Sequence, residues 1–261
     1  MTDKMLARKD GGVGTVIFNN PERHNAVSLD MWEATKRILD DFAADPDIRV
    51  VVLTGAGGKA FVSGADISRF EKERANLEAA RAYGAKSEAA YASIAEFPKP
   101  TIAMIRGYCI GGGLGLATCC DLRIASDNSR FAVPAAKLGI GYGYAGLKRL
   151  VDIVGPSFAK EIFYTARQFD TQEALTMGLI NRAVPSAELE NAVKNITDMI
   201  CANAPLTIKA VKVTVGEILK DESKRSVART TELVEACFVS RDYNEGRTAF
   251  MEKRKPVFTG T

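Results

Sequence analysis

The chain is 261 residues long, 46% hydrophobic and 26% charged, an ordinary balance with ample apolar material for a core. Its 35 basic and 32 acidic residues leave a net charge of +3, which makes no case for nucleic acid or an anionic membrane as the main partner. Five cysteines without C-x-x-C spacing argue against a disulfide framework or a zinc site, and a single histidine, His24, argues against a multi-histidine metal centre. No apolar leader follows the basic start and no stretch is long and apolar enough for a bilayer, so a cytoplasmic protein is expected.

In chain order, short β-branched runs at Gly14–Phe18 and Arg49–Thr54 read as strands. Between them Ser28 precedes a helical pattern carrying Trp32, Ile38, Leu39 and Phe42. The charged, alanine-rich stretch from Ile67 to Ala95 reads as helix and is closed by Pro98 and Pro100. Ile102–Ile105 and Leu122–Ala125 are further strands, and the strand-helix-strand alternation predicts an α/β core with parallel pairing. After Gly155 the pattern becomes helix upon helix. Asp170 with Glu173 forms a capping box, Ser186 is placed to cap the helix of Leu189, Val193, Ile196 and Ile200, and Pro205 suits a first helical turn. A last helical pattern runs from Val227 to about Val239. The expected organisation is an α/β core over residues 1–200 and a C-terminal helical oligomerisation region over 201–261.

Two segments carry chemistry. One is Ala60-Phe61-Val62-Ser63-Gly64-Ala65-Asp66-Ile67; the other is Arg106-Gly107-Tyr108-Cys109-Ile110-Gly111-Gly112-Gly113-Leu114-Gly115-Leu116, which follows a strand and opens an apolar helix. Glycines at a helix start let backbone N–H groups approach a ligand, and the helix dipole favours an oxyanion there. In isolation, tight packing of helix on sheet is the better explanation of a glycine triplet. A phosphate loop fits poorly, because no Gly-Lys-Ser/Thr follows and Leu116 stands where the third glycine of Gly-x-Gly-x-x-Gly belongs.

Together these segments resemble the crotonase superfamily, the enoyl-CoA hydratases and isomerases. The resemblance begins at Asn20-Pro21-Glu22-Arg23-His24-Asn25-Ala26-Val27, takes in both glycine segments, Cys120-Asp121-Leu122, Ala174-Leu175 and Gly178-Leu179-Ile180, and ends at Glu245–Phe250 and Glu252–Pro256. It implies a spiral of β-β-α turns with a C-terminal helical trimerisation region, and a homotrimer or dimer of trimers. It implies an acyl-CoA thioester substrate, with coenzyme A entering as part of that substrate and no tightly bound cofactor. It places an oxyanion hole on the N–H groups of Ala65 and Gly112, where losing one donor typically costs about 2.7–4 kcal/mol in the transition state. It also sets Arg23, His24 and Ala26 beside pantetheine and phosphates, Ala60 and Ser63 beside adenine, Ile67 among the substrate contacts, and Lys253 at a nucleotide phosphate of a neighbouring subunit. Val234 stands where the hydratases have an adenine-stacking phenylalanine.

The departures matter as much. The two glutamates that do the acid-base work of the hydratases correspond to Gly115 and Ala135. A positioned acid or base contributes typically about 10²–10⁴-fold, so ordinary hydration is not the expected reaction. Tyr142 and Tyr144, in a glycine-rich loop, are the nearby candidates, although a tyrosine pKa of about 10 suits a donor better than a base. Methylmalonyl-CoA decarboxylases of this superfamily also lack both glutamates and carry a tyrosine at what looks like the Tyr142 position. Three readings follow: an enolate-forming acyl-CoA enzyme, including a decarboxylase; a CoA-thioester-binding paralogue with little turnover; and a structural trimer with a vestigial site. Asp66 is expected as a helix cap, Asp121 as a turn residue and Lys137 as a solvent-exposed charge.

Overall fold

The computed structural model describes residues 2–261, with the backbone alone at position 72. The chain opens with β1 (Met5–Asp10) and β2 (Val13–Phe18), an antiparallel pair, and continues through α1 (Leu29–Ala44) to β3 (Val50–Gly55) and β4 (Ala60–Val62). Next come α2 (Phe70–Glu73), α3 (Leu77–Ala95), β5 (Thr101–Ile105), β6 (Tyr108–Ile110) and α4 (Gly112–Cys119). The core closes with β7 (Leu122–Ser126), β8 (Arg130–Ala132), α5 (Tyr144–Thr165), α6 (Thr171–Thr176), β9 (Arg182–Val184) and α7 (Leu189–Ala202). Three helices follow: α8 (Pro205–Ile218), α9 (Val227–Phe238) and α10 (Arg241–Glu252).

The strands form two sheets, one in the order β1-β2-β3-β5-β7-β9 and a small one in the order β4-β6-β8. Apart from β1 with β2, all pairings within them are parallel. Each strand of the large sheet from β3 to β7 is followed by one of the small sheet and then by helix, so the chain winds as a spiral of β-β-α turns. Alternation within the strands explains the layering. Val50, Val52, Ile102 and Ile124 face Leu189, Val193 and Ile196 of α7, while Val51, Leu53, Ala103, Ile105 and Ala125 join Trp32, Phe42, Phe61 and Phe131 in the larger core.

Several local expectations need correction. The segment from Ile67 to Ala95 is not one helix: a 3-10 turn (Ile67–Arg69) and α2 end at Arg74, and Asn76 starts α3 by accepting a hydrogen bond from Ala79 N. Helical character begins before Gly155, at Tyr144; Gly155, with φ 74°, and Pro156 kink α5 instead of starting it. A strand, β9, also lies within the stretch read as helix upon helix, paired with β7. Ser186 does not cap α7: it enters a 3-10 turn, and its carbonyl accepts a hydrogen bond from Arg106 Nη2 at 2.8 Å. The Asp170 capping box forms in full, with Glu173 N donating to Asp170 Oδ1 and Asp170 N to Glu173 Oε2, both at 2.9 Å.

Candidate active site

The three strands of the small sheet are parallel, so their C-terminal ends share one edge, where α/β folds commonly present ligand-binding loops. From β4 comes Ser63-Gly64-Ala65, from β6 comes Gly111-Gly112, and from β8 comes Val133-Pro134-Ala135. The three meet: a Cβ built on Gly111 would stand 4.0 Å from both Gly64 Cα and Pro134 Cδ.

Local hydrogen bonding turns two donors into this edge. Val27 forms a parallel bridge to Ala65, with Val27 N donating to Gly64 O (2.8 Å) and Asp66 N donating to Val27 O (3.0 Å). The Ala65 N–H therefore points away from Val27. Gly112 is the first residue of α4, and the first N–H groups of a helix have no partner within it. Among the described residues, neither N–H donates to a backbone carbonyl outside the regular elements. They also lie close together: a Cβ on Gly112 would be 3.8 Å from Ala65 N, and one on Gly64, whose φ is 105°, would be 3.6 Å from Gly112 N. The glycine triplet thus divides its duties. Gly112 presents a donor, whereas a Cβ on Gly113 would collide with the Val62 carbonyl, so close packing of helix on sheet explains the third glycine.

No carboxylate stands at 115 or 135, and Ala135 is buried. The space beside Gly115 is occupied from elsewhere in the chain. Tyr91, on α3, donates from its hydroxyl to Gly112 O at 3.0 Å, and a Cβ on Gly115 would meet that hydroxyl at 3.4 Å. Its ring sits edge-on to Trp32, whose Nε1 donates to the buried Tyr83 hydroxyl at 3.1 Å. Burial, and then the nearby Tyr142, push the Tyr91 hydroxyl well above its ordinary pKa, so it stays protonated and acts as a donor. Sequence reasoning missed Tyr91; an aromatic ring within an alanine-rich helix was the only signal. Tyr142 is partly buried, packed edge-on against Phe163 with ring centroids 4.8 Å apart, and burial raises its pKa as well. Tyr144 is 76% exposed at the start of α5 and does not join them.

The loop before α1 sits against the first glycine segment. Ser63 N donates to His24 O at 3.1 Å, Ser63 Oγ to Arg23 O at 3.2 Å, and Asn25 Nδ2 to Ala60 O at 2.8 Å. Arg23 Nη1 reaches Ser68 Oγ (2.7 Å) and Asp66 Oδ1 (3.3 Å). Desolvation pushes the Asp66 carboxyl up, but the Ser68 bonds and the Arg23 and Arg69 charges outweigh it and leave its pKa lowered. Asp66 caps the 3-10 turn that follows. Arg23, His24, Ala26, Ala60, Ser63 and Ala65 are thereby gathered, with Ile67 59% exposed beside them. Lys253 is exposed at the C-terminal end of α10, outside this cluster, and Lys137 is exposed too. Asp121 does more than turn the chain: its Oδ2 accepts from Thr101 N and Lys212 Nζ, both at 2.7 Å.

Comparison with known proteins agrees with this architecture. The family model described as enoyl-CoA hydratase/isomerase matches residues 8–261. A short-chain-enoyl-CoA hydratase of Clostridium acetobutylicum is 36% identical over 253 residues, 97% of this chain and 96% of that one. A carnitinyl-CoA dehydratase of Proteus mirabilis is 35% identical over 269 residues, covering 100% of both. A crystal structure described as an enoyl-CoA hydratase/carnithine racemase from Magnetospirillum magneticum superposes with a TM-score of 0.95 at 36% identity, covering 100% of this chain and 97% of that one. The chain belongs to the enoyl-CoA hydratase/isomerase family, the crotonase superfamily. Its chemistry is that of acyl-CoA thioesters.

Proposed function

We propose that the protein binds an acyl-CoA thioester and stabilises its enolate, holding the thioester oxygen between the N–H groups of Ala65 and Gly112, without a catalytic carboxylate pair. The observation that carries this reading is the convergence of two unclaimed donors on a wall where Gly115 and Ala135 replace acid and base. Fixed donors stabilise charge as it develops on oxygen, because they need no reorganisation during the reaction. Tyr91 and Tyr142 supply neutral hydroxyls on the same side, suited to giving a proton to the enolate carbon and unsuited to removing one at neutral pH. Arg23, His24, Ala26, Ala60, Ser63 and Ile67 form the coenzyme A side of the site, and Lys253 serves the nucleotide of a neighbouring subunit in a homotrimer or dimer of trimers.

Decarboxylation is the second reading. Loss of carbon dioxide from an acyl group carboxylated beside the thioester leaves its bonding electrons as the enolate, which then takes one proton. No base is required. A site without glutamates also spares such a substrate the like-charge repulsion it would otherwise meet.

The test is incubation with enoyl-, 3-enoyl- and malonyl-type CoA thioesters in deuterated water. Binding with water addition slow or absent is the expected result; carbon dioxide release, with deuterium left at the α-carbon, selects the second reading. Rapid hydration of the enoyl substrate would overturn the proposal, and failure to bind any thioester would overturn its acyl-CoA basis.

A further inference from the structure

The Gly112 donor stands on a turn that its own sequence does little to hold. α4 has eight residues, and three of its first four are glycine: Gly112, Gly113 and Gly115. Glycine weakens a helix, and so short a helix is marginal by itself. No side chain caps it, because the preceding residue is Gly111, with φ 55°. One side of the turn is set by the packing of Gly113 on the Val62 carbonyl. The other is set by Tyr91, whose hydroxyl donates to Gly112 O at 3.0 Å.

Tyr91 is itself firmly placed. Its ring packs edge-on against Trp32 with centroids 5.0 Å apart, and the Arg149 guanidinium carbon lies 5.7 Å from its centroid. Trp32 is buried and bonded to the buried Tyr83 hydroxyl. Arg149 is held by two bonds to Glu88, of 3.0 and 3.2 Å. Trp32 comes from α1, Tyr83, Glu88 and Tyr91 from α3, and Arg149 from α5. Three helices thus position one hydroxyl against the start of a fourth.

The bond acts through orientation. Gly112 O belongs to the peptide that follows the residue, whereas the Gly112 N–H belongs to the planar peptide before it. A residue without a Cβ has a wide choice of φ and ψ, and a hydrogen bond on its carbonyl narrows that choice. An oxyanion donor contributes only when it is aimed at the place where charge develops. With its proton engaged on the carbonyl, Tyr91 supports the donor first, and Tyr142 remains as the hydroxyl for the enolate carbon.

We infer that Tyr91 is a positioning residue, which locks the first turn of α4 so that the Gly112 N–H stays aimed, beside that of Ala65, at the thioester oxygen. This rests on the oxyanion-hole reading above and is indifferent to which bond of the substrate changes afterwards.

The experiment is infrared difference spectroscopy of the full chain with butyryl-CoA carrying an isotopic label at the thioester carbonyl. Fixed donors on that oxygen lower its stretching frequency and narrow its band. Tyr91→Phe keeps the ring against Trp32 and removes only the hydroxyl; it is expected to lose much of the shift and to broaden the band. Gly112→Pro, which lacks the N–H, should lose at least as much, and adding Tyr91→Phe to it should change nothing further. Unchanged affinity of each variant for coenzyme A alone is the folding control. Should Tyr91→Phe fail that control, Gly112→Ala takes its place: a methyl there stands 3.1 Å from the Tyr91 hydroxyl and disturbs the same bond while keeping the N–H, so part of the shift should go. A full shift in the variant used, or a further loss when Tyr91→Phe is added to Gly112→Pro, overturns the proposal while the oxyanion-hole reading stands. No shift in the bound wild type overturns that reading instead.

Discussion

A methyl group at position 113 would lie inside the Val62 carbonyl oxygen, whereas at position 112 its nearest neighbour would be the Tyr91 hydroxyl at 3.1 Å. Adjacent glycines therefore answer to different pressures, and substitutions separate them. Gly113→Ala should destabilise the protein by about 1–3 kcal/mol through overpacking, read as a lowered denaturation midpoint. Gly112→Pro should remove one oxyanion donor at a position where a helix accepts proline, lowering kcat by about 10²–10³-fold. Gly112→Ala keeps the donor, and a loss as large as that of the proline variant would refute the role of the N–H. The family resemblance singled out Gly112 in the sequence but left Gly113 without a reason, because what stands opposite it belongs to β4. Tyr91 was illegible for the same reason: its partner, Gly112, lies 21 residues further along.

Among the elements, those built on long periodic runs could be read directly. The β-branched run of β3 and the stripe of Trp32, Ile38, Leu39 and Phe42 on α1 declare themselves. The strands β4, β6 and β8 have three residues each, too few for a period, and they exist because parallel neighbours complete their hydrogen bonding. The segment after α10 is tied down electrostatically. Arg254 bonds Glu245 at 2.6 and 2.9 Å, and Val257 N donates to Glu245 Oε1 at 2.9 Å. These contacts, the Arg254 bond foremost, pull the Glu245 pKa down to about 2. A depressed carboxylate contributes stability that is complete above its unfolded value of about 4.3 and is lost as pH falls towards the folded value. Amide exchange across residues 254–261 is therefore expected to quicken between about pH 4 and pH 2. Equal protection at both ends of that window would show the pair to be unimportant.

At the scale of the whole molecule, the core is closed but the C-terminal helices are not. Phe238 is 60% exposed, Phe250 82% and Val211 59%, with Val215 and Val234 nearby on the groove between α8, α9 and α10. Isolated apolar residues on a surface need no explanation, but a contiguous group calls for a cover. Self-association is the expected cover, in keeping with the trimer proposed above. Sedimentation should give a mass of three or six chains, and Phe250→Glu should reduce it. A wild-type monomer at micromolar concentration would refute this. The start of α8 at Pro205 and the helical pattern of α9 were legible, whereas α10 and the arrangement of the three outward faces into one groove were not.

The wall formed by Gly115 and Ala135 has a consequence for how the protein responds to acidity. Enzymes that divide acid and base between two titrating side chains show a bell-shaped rate profile, each limb marking one proton. Here the hydroxyls of Tyr91 and Tyr142 both titrate above the ordinary tyrosine value, and burial pushes the nearby Cys119 thiol up to about 12. None of these groups changes charge in the neutral range. With substrate saturating, turnover should stay level from about pH 5 to about pH 9. A steep limb inside that window would expose a proton carrier that this wall does not contain.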